Sequence, residues 1–109
     1  MNYFITPSKK EGTCYFEFQK GPFQNRFWQE DSLLLPADDF DQLNLKSIFK
    51  LFLPDFSYYG ITTVSKSQWK QIAAYADHLD SSVRTLFLEL LPWVEECFEE
   101  YEVFSILGI

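Results

Sequence analysis

The apolar positions change period once along the chain. Over residues 13–19, TCYFEFQ, Cys14, Phe16 and Phe18 fall on one side while Tyr15, Glu17 and Gln19 fall on the other. A period of two built from β-formers predicts a half-buried antiparallel strand. Residues 3–6 predict a shorter strand before it, and residues 7–12 (PSKKEG) a turn. After Lys20–Gly21–Pro22, residues 26–35 (RFWQEDSLLL) return to an extended pattern, as one long strand or two short ones around Asp31–Ser32. Together these segments predict an N-terminal meander.

Beyond Leu35 the period is helical. Pro36 followed by Asp38 and Asp39 marks a helix start, because the acids sit at the positive end of the helix dipole. Phe40 and Leu43 are its apolar positions. Asn44 caps a second segment in which Leu45, Ile48, Phe49 and Phe52 recur at i, i+3, i+4 and i+7, and Pro54 ends it. Residues 54–72, PDFSYYGITTVSKSQWKQI, carry three aromatics and a glycine into a β-branched run. Gly60 reads there as a residue allowing positive φ after a turn. Ser65 with Gln68 fits a capping box, and Val64 can staple onto Trp69.

Trp69, Ile72, Ala73, Ala76 and Leu79 stripe a helix ending near His78–Leu79, and Asp80 or Ser81 caps the next. That last stripe runs through Val83, Leu86, Leu90, Val94, Cys97 and Tyr101, widened by Phe87, Leu91 and Phe98. Pro92 lies inside it and predicts a kink or a restart. Residues 103–107 (VFSIL), before Gly108, can close the chain as a final strand. The fold class is α+β: an N-terminal antiparallel β-meander followed by amphipathic helices, with a C-terminal strand returning to the sheet.

Composition narrows the class. A chain of 109 residues with 12 Phe, 6 Tyr and 3 Trp supports one domain over residues 1–109 with a real core. No run of about 18 apolar residues could span a bilayer, and the first residues lack a signal-peptide pattern, so the expected location is the cytoplasm. Cys14 and Cys97 read as small buried apolar groups. Sixteen acids against nine bases leave a formal net charge of −7. The imbalance lies in the second half, since residues 54–109 hold nine acids and three bases. Such a field repels nucleic-acid backbones and steers cationic proteins toward the surface. Self-association is left open by the sequence.

Catalytic patterns are sparse. His78, in ADHLD, could pair with Asp77 or Asp80 in a small enzyme; the plainer reading is an exposed histidine near a helix C-terminus. There is no G-x-S-x-G elbow and no Gly-rich phosphate loop, so neither a cofactor nor a catalytic residue is predicted. DDFD (Asp38, Asp39, Asp41) lacks the spacing and central glycine of a calcium loop, and no metal site is predicted. EECFEEYE crowds Glu95, Glu96, Glu99, Glu100 and Glu102 into the last turns of a helix. There they oppose the dipole and one another by a few tenths of a kcal/mol per pair, roughly. These acids read either as a solvated face or as charge kept for a partner. Tyr58 and Tyr59 are candidate aromatic anchors, and Phe56 reads as core.

The acidic segment and short helix, then PDFSYYGITTVSKSQWKQI, then an amphipathic helix, resemble a style found among small bacterial immunity proteins. These are the antitoxins of contact-dependent growth inhibition and related polymorphic-toxin systems. The resemblance covers residues 36–72. It implies a non-catalytic protein that binds and neutralises one cognate, basic toxin domain such as a nuclease. The toxin-binding residues it implies are Glu95, Glu96, Glu99, Glu100 and Glu102, with Asp38, Asp39 and Asp41 as a second patch and Tyr58 and Tyr59 as anchors. YYG with a downstream Trp also resembles barstar-like ribonuclease inhibitors. That likeness stops after Gly60, where ITTVSKSQW replaces the helix-starting NLDALW of that family, so neither fold nor inhibitory residues are carried over. The alternative to immunity is an acidic interaction or regulatory module with a non-toxin partner.

Overall fold

The computed structural model describes residues 3–109. Its strands are β1 (Tyr15–Lys20), β2 (Leu33–Pro36), β3 (Ile61–Ser65) and β4 (Val103–Leu107). Its helices are α1 (Ala37–Gln42), α2 (Leu45–Phe52), α3 (Lys66–Ala76) and α4 (Ser81–Glu100). The strands form one antiparallel sheet in the order β2-β1-β4-β3, so the fold is α+β. The C-terminal strand enters the middle of the sheet, paired with β1 on one side and β3 on the other. The β-branched run ITTVS, passed over as a strand in the hydrophobic pattern, is the edge strand β3.

Register sorts the two faces. Phe18 lies opposite Leu33 and Ile106, while Val64 lies opposite Phe104. These side chains face the core that the helices cover. Phe16 stacks on Phe40 of α1 with ring centroids 3.8 Å apart and planes 12° apart. Phe40 in turn meets Phe49 and Phe56 in stacked pairs. Asn44 precedes α2 with left-handed backbone (φ 55°) and makes no side-chain cap bond to it, its Oδ1 accepting instead from the Ser47 hydroxyl at 3.0 Å; the other two cap signals act as expected. Ser65 Oγ accepts from the Gln68 N–H at 3.2 Å, and Gln68 Oε1 accepts from the Ser65 N–H at 2.9 Å. Asp80 Oδ1 accepts from the Val83 N–H at 3.1 Å and starts α4.

The structure sharpens or departs from the sequence-based expectations at several points. First, of the kink or restart expected at Pro92 the restart is excluded, since α4 runs as one 20-residue helix. The missing N–H frees the carbonyl of Leu88; Leu88 is exposed, so water can serve it. Second, residues 3–6 make only one bridge, Ile5 with Leu34, in place of a strand. Third, of residues 26–35 only the end is a strand. The preceding segment folds back as a loop, with left-handed backbone at Asn25 (φ 63°) and Trp28 (φ 60°). Fourth, Cys14 is exposed, although Cys97 is buried as expected; both are free thiols.

The loop explains why Glu17 and Gln19, assigned to the solvent side of β1, are each only 2 % exposed. The Glu17 carboxylate holds the loop down. Oε1 accepts from the Trp28 N–H at 2.8 Å. Oε2 accepts from the Gln29 N–H at 3.0 Å, the Ser32 hydroxyl at 2.7 Å and the Gln19 amide at 2.9 Å. A buried carboxylate is tolerated only when its lone pairs are met in this way.

Glu17→Ala strands those donors in a dry place, so it lowers stability by about 3 kcal/mol. Urea unfolding checks this, and a loss below about 1 kcal/mol would show that water replaces the carboxylate at little expense.

Candidate functional site: an acidic aromatic corner

Residues 53–61 turn the chain from α2 into β3. Leu53 accepts the Phe56 N–H, and Thr62 Oγ1 accepts the Ser57 N–H at 3.1 Å. The C-terminus ties the turn down, as the Gly108 N–H donates to Gly60 O at 2.7 Å and the Ile109 N–H to Tyr58 O at 2.9 Å. This closeness explains Gly108, because a Cβ there would run into the Tyr58 carbonyl. Gly60, by contrast, has no left-handed φ. What a side chain would meet at Gly60 is the Ser57 hydroxyl, 2.7 Å from an added Cβ.

The two tyrosines have different jobs. Tyr58 is half-buried and packs edge-on against Phe16 (5.1 Å) and Phe40 (5.9 Å). Its hydroxyl donates to Asp41, 2.8 Å from Oδ1 and 3.1 Å from Oδ2. Tyr59 packs edge-on against Tyr58 at 4.9 Å and is 78 % exposed. It is thus an aromatic side chain held from below by a ring that is itself held. Asp38 and Asp39 lie in the first turn of α1, beside Asp41. The structure therefore brings Asp41, Tyr58 and Tyr59 together into one corner, with Asp38 and Asp39 on the same short helix and the Lys46 ammonium 6.0 Å from the Tyr58 ring centroid.

It does not add the glutamates to that corner. Asp41 and Tyr58 lie toward the Tyr15 end of β1, where β1 meets Pro36. Lys20, at the other end, pairs with Glu96. Six residues of strand separate the ends, roughly 17 Å. Burial pulls the Lys20 pKa down, but the hydrogen bond and charge of Glu96 outweigh it and leave the pKa raised. Glu102 reaches Lys66 only at 4.0 Å with both side chains largely in water, a pair worth little. Glu95 and Glu99 line a groove between α3 and α4, and Glu100 is exposed. The acids fall on two faces of the helix end, Glu95 and Glu99 beside the groove and Glu96 toward Lys20.

His78 is exposed in the α3–α4 turn. Asp80 spends its carboxylate on the cap of α4, and among the described residues no ion pair joins His78 to Asp77 or Asp80. No group of three or more His, Cys, Asp or Glu among the described residues is placed to hold a metal. No helix among them is long and apolar enough to cross a membrane. The Glu17 cluster was invisible to motif reading. The one available signal was the aromatic content of the following loop, Phe23, Phe27 and Trp28, which is unusual for a solvated connection.

The hydrogen bond to Asp41, helped by burial and by the Asp41 charge, pushes the Tyr58 pKa up to about 12. A raised folded-state pKa means that its stabilisation is complete below pH 10, the ordinary tyrosine value, and is lost as pH rises through about 12. Ultraviolet difference titration should show one late-ionising tyrosine, moved back toward the ordinary range by Asp41→Asn. An unchanged profile in that variant would mean that the bond does not hold the corner in solution.

The chain matches no protein-family model, no curated protein and no solved structure at a significant level.

Proposed function

We propose that this chain is an immunity-type binding protein that neutralises a cationic toxin domain, such as a nuclease, by occupying an essential surface of it. The observation that carries the reading is Tyr59, a large side chain 78 % exposed on a buttressed support, its supporting Tyr58 bonded to Asp41 of the helix that also carries Asp38 and Asp39. Interface hot spots have this composition, a rigid aromatic anchor beside charge that selects the partner. A ring that is already positioned loses little freedom on binding. The net charge of −7 and the glutamates of α4 add a long-range field that speeds encounter with a basic partner. The reading needs no catalytic group in this chain, and it places binding in the cytoplasm, where a delivered toxin would be met. An acidic adaptor for a harmless partner would use the same corner and differs only in what it holds.

The test is capture of the polypeptide encoded immediately upstream, at two salt concentrations, with the wild type and two variants. Tyr59→Ala should weaken the complex by about 2 kcal/mol, roughly thirtyfold, without moving the melting temperature. Asp38→Lys should slow association and flatten the salt dependence. Wild-type affinity in Tyr59→Ala removes the corner from the reading. A captured partner without toxic activity moves the protein to the adaptor class.

A further inference from the structure

A second surface lies on the other side of the helical layer. Between α3 and α4 runs an open groove of about 440 Å³ with Trp69, Leu91, Val94 and Phe98 along its floor. Its two rims are opposite in sign. Lys66 and Lys70 stand on α3, one turn apart; Glu95 and Glu99 stand on α4, also one turn apart. Residues at i and i+4 on a helix are about 6 Å apart at Cβ, so the two charge pairs have matching spacing. Within the chain they do little for each other. Lys66 leans over the Phe98 ring and reaches only Glu102, at 4.0 Å. Among the described residues Lys70, Glu95 and Glu99 have no ion-pair partner. Leu88, one turn before Leu91 on α4, is 64 % exposed.

We propose that this groove is the interface of a two-fold homodimer in which the lysine rim of each copy lies on the glutamate rim of the other. The divided rim selects the occupant. A uniformly cationic partner would meet Lys66 and Lys70 along half the groove, and a uniformly acidic one would meet Glu95 and Glu99 along the other half. A second copy meets neither difficulty when the two-fold axis runs along the groove, because that rotation exchanges left and right while it turns the faces together. Every lysine then faces a glutamate, as an isologous contact requires. A two-fold axis across the groove sets like charge on like and is rejected, so the charges specify one arrangement out of two. In the accepted arrangement α3 of one copy runs antiparallel to α4 of the other, which also suits their dipoles.

The expected strength follows from size. The 11 residues of α3 bound the groove to about 16 Å, and two packed helices span about 18 Å, giving on the order of 300 Å² per partner. That is below the size of most stable interfaces, so the dimer is a weak one that forms in a concentration-dependent way. The acidic aromatic corner lies away from this groove, and the dimer stands whether or not the corner binds a toxin.

Sedimentation equilibrium of the full chain tests the arrangement through four samples. Wild type should move from the 12.9 kDa of one chain toward twice that mass as concentration rises. Lys66→Glu with Lys70→Glu makes both rims acidic, and Glu95→Lys with Glu99→Lys makes both basic; each double variant alone should lose the dimer. Mixed together, the two should form a one-to-one heterodimer tighter than the wild-type dimer. A wild type that stays monomeric to near-millimolar concentration leaves the groove to some other occupant and overturns the proposal. Double variants that dimerise as well as wild type, or a mixture that fails to associate, overturn it equally.

Discussion

The face-to-face contact of Phe16 with Phe40, 3.8 Å between centroids, is where the two layers of this molecule are joined. Phe16 belongs to β1, which pairs with both β2 and β4, and Phe40 is the buried residue of the six-residue helix α1. So short a helix has no independent stability. It is placed because Phe40 is gripped between Phe16 below and Phe49 and Phe56 beside it. Once α1 is placed, Asp41 faces the turn after α2. Tyr58 closes against both Phe16 and Phe40, and its hydroxyl meets Asp41. The exposed position of Tyr59 is therefore a late consequence of a core contact some distance from it.

Glu17 plays the corresponding part on the opposite face. The helices cover one side of the sheet and leave the other to be closed by a loop whose large apolar side chains are Phe23, Phe27 and Trp28. Residues 21–32 make that cover, and a loop has no repeating hydrogen-bond pattern with which to hold itself down. One carboxylate supplies four acceptor contacts and fixes the loop by its backbone at Trp28 and Gln29. The arrangement buries both faces of β1, β2 and β4 in a chain too short for two helical layers, while Ile61 and Thr63 leave the outer face of β3 open. It also leaves the fold unusually dependent on one buried charge.

The helices were legible in sequence and the second face was not, for the same reason. Capping at Ser65–Gln68 and at Asp80–Val83 joins residues three apart, and a local bond can be read from local spacing. Glu17 is bound by residues eleven to fifteen positions away, and its alternation with Phe16 and Phe18 is what an exposed position would also show. Cys14 fails in the same way, sharing a side with Phe16 but lying just before the strand begins. Pro92 was read for its local effect alone, while burial of Leu90, Val94 and Cys97 along one face keeps α4 in a single run. For the candidate site, Asp41 and Tyr58 could each be named but not joined, because they are 17 positions apart in the chain. The division of the glutamates between two helix faces is by contrast legible from spacing alone, since neighbours on a helix are dealt out to different faces.

How charge is distributed in space carries more information than its total. At the corner the three aspartates of α1 outnumber Lys46, which lies over the Tyr58 ring, a surface that suits a partner of opposite charge. Along the α3–α4 groove the signs are equal in number and divided by a line, a surface that suits its own copy when turned about that line. A single number, −7, conceals both. Selection for solubility alone would scatter acids and bases among one another. A mainly acidic corner and a divided groove are two different charge patterns on one small domain, and each suits a different kind of partner.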